Sequence, residues 1–378
     1  MLLTAVVFFI ILSILVLIHE LGHFTVARLI GVKVEEFGFG LPPRIFGKKF
    51  RGILYSLNWL PIGGFVKLAG EDPPSHEASG GKRRKLKEYF FARSKKERAA
   101  ILLAGVAMNF ILAVGITTYL LTQGVQEPTG QVHIESVMPG SPAAKAGLKE
   151  KDVIQRIVYP RNVLGGYSVS QEVQLGPTEA KNIIIPKDLI DIVKAHAGES
   201  ITLTVLRGTQ TLSVTLIPRK EYPKGEGPTG IVISDLETHV YPLRQAPFMA
   251  VKINCQRAWA MLAGIGSLIG KLVQLKPVGS DVAGPIGIAQ VTGQAVKFGW
   301  KAVLEFMSIL SLNLAVLNIL PIPALDGGRL AFVFLEKIIG KKVKPAFEQS
   351  THQIGMIILF ILIILISVND VARLARGG

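Results

Sequence analysis

Four stretches of the chain are almost unbroken runs of apolar residues: 2 to 18, 99 to 121, 302 to 320 and 354 to 368. A helix needs roughly 17–25 such residues to cross the hydrocarbon core of a bilayer, so each run predicts a membrane-spanning helix, the last being the shortest. The pattern between the runs is different. Residues 31 to 74 mix Gly, aromatic and β-branched residues with Pro at intervals, which predicts strands and turns, with Gly63 and Gly64 able to form a tight turn. The resulting hairpin either packs on the helices at the cytoplasmic side or dips into the bilayer. Residues 130 to 220 predict a strand, a short helix opened by Ser141 and Pro142 and stopped at Gly147, another strand, a helix from about Pro186 to Ala197, and two alternating strands across Gly208. From Ala246 to Val273 the apolar pattern is interrupted by Lys252, Arg257 and Lys271. That predicts an amphipathic helix on the outer membrane surface, with a fifth span as the alternative.

Composition sharpens this picture. The chain is 49% hydrophobic and 18% charged, with a mean hydropathy of +0.43, which excludes an ordinary soluble enzyme. Its single cysteine, Cys255, cannot form an internal disulfide. The net charge of +15 sits largely beside the apolar runs, in Arg44, Lys48, Lys49, Arg51, the cluster Lys82, Arg83, Arg84, Lys85 and Lys87, then Arg93, Lys95, Lys96 and Arg98. Lys and Arg gather on the cytoplasmic side of membrane proteins, so the 28–98 loop is expected inside, as is the turn with Lys337, Lys341, Lys342 and Lys344. Residues 123 to 250 are nearly balanced in charge, which suits an extracytoplasmic domain. Four spans then place both termini outside. Membrane-flanking charge explains the basicity without a nucleic-acid partner, and none is expected. The first run has no Lys or Arg before it and no small-residue cleavage site after it, so it is expected to be a retained span.

Polar residues inside those runs carry the chemistry. His19, Glu20 and His23, in the sequence HELGH, interrupt the first span. On a helix, residues i and i+4 share one face, so two imidazoles can grip one Zn²⁺ while the intervening Glu20 faces a water on the ion. A catalytic zinc takes a third protein ligand and keeps one open position. Asp326 is the candidate. It follows Pro321 and Pro323 at the cytoplasmic end of the third span, where a broken helix lines a cavity, at a depth matching His19 and His23. Asn109, among the small residues Gly105 and Gly115 of the second span, serves either helix packing or the site. The remaining histidines, His76, His133, His196, His239 and His352, are read as solvated or structural.

The segment SPAAKAGLKEKDVI resembles a PDZ domain, although the loop at about 159 to 185 is longer than that family usually has. PDZ domains capture peptides by adding a strand to a sheet edge; the alternative is a steric plug that binds nothing. Together, His19-Glu-Leu-Gly-His23, Gly105-Val-Ala-Met-Asn109, the PDZ-like segment and Asn318-Ile-Leu-Pro-Ile-Pro-Ala-Leu-Asp326-Gly resemble the site-2 protease family of intramembrane zinc metalloproteases. The order, with DVAGPIGIAQ at 281 to 290, is most similar to its bacterial RseP branch, with a single PDZ segment.

That resemblance implies a multi-pass α-helical membrane protein with about four transmembrane helices, a membrane-associated β-hairpin and an inserted extracytoplasmic α+β PDZ domain. The expected divisions are 1–30, the first span; 31–98, the cytoplasmic loop with the re-entrant hairpin; 99–122, the second span; 123–220, the PDZ domain; 221–300, an amphipathic helix and linker; 301–328, the third span; and 329–378, a cytoplasmic turn and the fourth span. It implies zinc on His19, His23 and Asp326, Glu20 as base, Asn318 beside the scissile bond or donating to its oxyanion, and Gly63 and Gly64 in a loop presenting substrate. The implied activity is cleavage of single-span membrane proteins, such as anti-sigma factors or signal-peptide remnants, in the bacterial inner membrane. The PDZ segment would filter by size or bind a newly exposed C-terminus. A silent peptide-binding adaptor is disfavoured by the complete ligand set with Glu20, and a hydrolase of lipid-soluble non-peptides by the hairpin and PDZ features.

Overall fold

The computed structural model describes residues 2–71, 87–160, 178–182, 185–223, 225–274, 284–343 and 345–375. His76, Lys82 to Lys85, most of the long loop at 159–185, residues 281–283 and Lys344 lie outside the described residues. The chain forms two units, Met1–Gln123 with Tyr241–Gly378, and Gly124–Val240.

The first unit begins with α1 (Leu2–Ile30), whose buried positions Ile11, Leu15, His19, His23 and Ala27 repeat every four residues along one face. The two histidines thus continue an apolar packing stripe. Strands β1 (Val34–Phe50) and β2 (Ile53–Leu68) follow. They fold over each other, so that residues 36–38 of β1 pair with 54–56 on one side and 65–67 on the other. The turn joining them is Arg51–Gly52, both with positive φ. A second reversal, at the expected Gly63 and Gly64, lies inside the span of β2: residues 54–57 and 64–67 run in opposite directions along β1, and Gly63 has positive φ. Helix α2 (Lys95–Thr122) opens with a capping box in which Ser94 and Glu97 satisfy each other's backbone N–H groups.

The second unit holds β3 (Val125–Val137), α3 (Pro142–Lys145), β4 (Val153–Pro160), β5 (Thr178–Asn182), α4 (Pro186–Ala195), β6 (Ile201–Arg207), β7 (Gln210–Leu216) and β8 (Ile231–His239). Its antiparallel sheet runs β7-β6-β4-β3-β8, with β5 also on β4. Alternating strand residues fill the core: Val132, Ile134, Ile154, Ile157, Leu203 and Val205 pack with Leu189 and Val193 of α4. Strand β8 corrects the expected boundary at 220, because residues 231–239 complete this sheet by pairing along β3. Its alternation was masked by the Pro- and Gly-rich approach at 223–230.

Returning to the first unit, α5 (Ala246–Val273) is one 28-residue helix. Its Asn254 is fully buried and donates to Thr117 Oγ1 of α2 at 3.0 Å. Helix α6 (Pro285–Phe298) occupies sequence expected to belong to the linker before the third span. Pro285 suits a first helical position, and the Asp370 carboxylate accepts from Gly284 N and Gly287 N at its start. Helix α7 (Trp300–Ile319) stops short of the expected 328, because Leu320 is extended ahead of Pro321 and Pro323. A separate helix, α8 (Asp326–Ile339), replaces part of the expected cytoplasmic turn, and α9 (Pro345–Ala375) ends the fold. Among the described residues, four helices are long and apolar enough to cross a membrane, over Leu2–Ile30, Lys95–Thr122, Trp300–Ile319 and Ala346–Val368.

Candidate metal centre

Close packing of α1 on α2 creates the site. At Gly22 a Cβ would overlap the Ala104 carbonyl, and at Gly105 it would overlap the rings of both His19 and His23. Only hydrogen at these positions lets the helices approach with two imidazoles between them. Ile101, Gly105 and Asn109, four residues apart, form the face of α2 that receives the rings. His23 Nδ1 donates to Ile101 O at 2.8 Å, and His19 Nδ1 lies 3.3 Å from Asn109 Nδ2.

The third group arrives from the break after α7. Ala324 has positive φ, and Gly327 and Gly328 press against the carbonyls of Leu320 and Ile322, where a Cβ would overlap them. This fold-back sets Asp326 at the first turn of α8. Its Oδ2 lies 2.9 Å from His19 Nε2 and 3.2 Å from His23 Nε2, and the two Nε2 atoms are 3.1 Å apart. Among the described residues this is the one group of three His, Cys, Asp or Glu side chains able to share an ion.

The donor chemistry fits zinc. Metal–ligand bonds of about 2.0–2.1 Å in tetrahedral geometry put ligand atoms about 3.3 Å apart, close to the observed triangle. A carbonyl only accepts, so His23 carries its proton on Nδ1 and presents a bare Nε2 lone pair to the centre. A ligating imidazole held by a carbonyl on its far nitrogen is the usual outer support of such a site. Two nitrogens and one carboxylate oxygen leave a fourth direction open.

Glu20, on the turn between the histidines, lines one cavity with His23 and Asp326, and its Oε2 accepts from Val66 N of β2 at 2.9 Å. Asn318 also comes to the centre, with Nδ2 3.3 Å from His19 Nε2. The glycine pair sits alongside: a Cβ on Gly63 would contact Val16 of α1, and one on Gly64 would overlap the Gly38 carbonyl and reach Glu20 Cγ.

Sequence reasoning missed three contacts in and beside the cavity. His352 of α9 accepts from Ala324 N at 3.0 Å and so steadies the loop leading to Asp326. Arg329 pairs with Glu71 in the cavity wall, and Arg98 with Glu336 in a neighbouring pocket. His352 did carry a signal, being polar at the mouth of an apolar run. The ion pairs carried none, since their members lie 258 and 238 residues apart.

Known proteins match along most of the chain. The family model described as Peptidase family M50 matches residues 7–362. A protein of Clostridium acetobutylicum provisionally named a zinc metalloprotease is 32% identical over 95% of this chain and 94% of its own length. The regulator of sigma-W protease RasP of Bacillus subtilis is 28% identical over 98% of this chain and 99% of its own, and the zinc metalloprotease RasP of Oceanobacillus iheyensis 26% over the same shares.

Proposed function

The chain belongs to peptidase family M50, the site-2 protease family, and from that premise we propose that it cuts transmembrane segments of single-span membrane proteins at a zinc centre held by His19, His23 and Asp326. It is a membrane-located zinc metalloprotease. The observation that carries the assignment of residues is the meeting of three ligand atoms from α1 and α8, which are 307 residues apart for His19 and Asp326.

Zinc bound there supplies a Lewis acid and a nucleophile drawn from water near neutral pH. Glu20 takes the proton of the attacking water and returns it to the leaving amine. Asn318 donates through Nδ2 to the oxyanion that develops at the scissile carbonyl. A substrate helix hides its carbonyls in its own hydrogen bonds and must unwind first. Residues 64–68 of β2, beside Glu20, offer an edge along which the unwound segment pairs as a strand. Exposed Ile45, Phe46, Phe50, Trp59 and Leu60 support a hairpin that dips into the bilayer.

The second unit is read as the extracytoplasmic PDZ-like domain, with both termini on the same side of a bacterial inner membrane. Its edge strand β8, packed near α4, supports capture of a peptide C-terminus over a passive plug. The name of the Bacillus subtilis relative favours an anti-sigma factor among the substrates.

The test is Glu20→Gln in the full chain. Cleavage of a model single-span substrate should fall by about 10²–10⁴-fold while zinc content stays that of the parent. Undiminished cleavage by this variant contradicts the reading.

A further inference from the structure

Ligation through Nε2 leaves each histidine's Nδ1 to be oriented by the protein. For His23 that partner is Ile101 O. For His19 the neighbour of Nδ1 is Asn109, one turn beyond Gly105 on the same face of α2, and fully buried. Asn109 is anchored from behind, because its backbone carbonyl accepts from Ser311 Oγ of α7 at 2.8 Å. The amide nitrogen faces His19 Nδ1, and the amide oxygen, Oδ1, has no hydrogen-bond partner among the described residues. Two nitrogens satisfy each other only if His19 lacks a proton on Nδ1. That places the proton on Nε2, the atom that faces Asp326 and His23, where it blocks ligation.

A half-turn of the amide reverses both assignments. Oδ1 then gains His19 Nδ1–H as its donor, and Nε2 turns its lone pair to the centre. We infer that Asn109 is a positioning residue that holds His19 in its metal-ligating tautomer by accepting the Nδ1 proton on Oδ1. This rests on the metalloprotease reading above. It gives the Gly105-x-x-x-Asn109 pair one purpose: the glycine makes room for both rings, and the amide fixes the proton of the ring that no carbonyl reaches.

The experiment measures zinc affinity of the full chain in detergent by competition with a chromogenic chelator, for the parent, Asn109→Leu and Asn109→Asp. Loss of an outer-shell acceptor weakens metal binding by about 10–100-fold, which is the change expected for the Leu variant. The Asp variant keeps an acceptor at the same reach and should stay near the parent. Equal affinity in the Leu variant, or an equal fall in both, overturns the inference. A second readout needs no variant: ¹⁵N spectra of the histidine-labelled, zinc-loaded parent should show His19 protonated on Nδ1, and ligation through Nδ1 overturns the assignment. Absence of zinc from the parent would overturn both this inference and the reading beneath it. Equal affinity in parent and Leu variant would overturn this inference alone.

Discussion

The unit formed by residues 124–240 buries what a water-soluble domain buries, whereas the unit that carries the four long apolar helices adds to its own apolar core a set of enclosed polar groups and an outward-facing apolar surface. In the former, Val132, Ile134, Ile154, Ile157, Ile201, Leu203 and Val205 are at most 1% exposed, and a buried charge, Asp152, is neutralised at once. Burial pushes the Asp152 carboxyl up, but hydrogen bonds from Arg207, at 2.7 Å, and from Lys149 N, at 2.9 Å, together with the positive charges of both residues outweigh it and hold the group below the usual carboxylate range. In the latter, Ile354, Ile357, Ile358, Phe360 and Ile361 of α9 face outward, while His19, His23, Asn109, Thr117, Asn254, Ser308 and Ser311 are enclosed. Polar groups withdrawn into an apolar segment lose hydration, so they persist where partners or an ion compensate. Thr117, Ser308 and Asn254 compensate one another, whereas Nε2 of His19, Nε2 of His23 and Oδ2 of Asp326 converge on one centre. The difference separates polar groups that hold helices together from polar groups arranged so that they could hold an ion.

Substitutions in each unit should therefore fail in different ways. The largest effect is expected from Gly105→Val, which drives a branched side chain between the two imidazoles. Misplacing ligands by about 1 Å costs on the order of 10²-fold in rate, and cleavage should fall at least that far, with loss of zinc. Normal zinc content and cleavage in this variant would break the comparison. A smaller effect is expected from Leu203→Ala, which opens a cavity in the fully buried core of the other unit. Hydrogen exchange of residues 124–240 in the full chain should report about 2–5 kcal/mol less protection, with zinc content unchanged. Zinc loss from that substitution would show that the site depends on the second unit's core.

Much of this was legible because the membrane simplifies the code. A run of apolar residues names its own helix, and His19, Glu20 and His23 stand out inside one because unpartnered polar groups are costly there. Asp326 was visible for the same reason, flagged by Pro321 and Pro323. What escaped was set by tertiary contacts. Helix α6 starts where Asp370, more than 80 residues onward, supplies its N-terminal acceptor. One hairpin turn falls at Arg51–Gly52, while the glycine pair sits where β2 itself reverses direction between residues 57 and 64, Gly63 with positive φ and Gly64 close against Gly38. Asn109 read first as helix packing and second as a site residue, and its carbonyl serves the first while its side chain faces the second.

The central claim is that His19, His23 and Asp326 together bind the zinc ion. X-ray absorption at the zinc edge on the purified full chain tests it most directly. The account predicts one zinc with two imidazole nitrogens and carboxylate oxygen at about 2.0–2.2 Å, and a shell that loses an oxygen ligand or the metal itself in Asp326→Asn. A shell unchanged by Asp326→Asn, or cleavage by protein that contains no zinc, would contradict it.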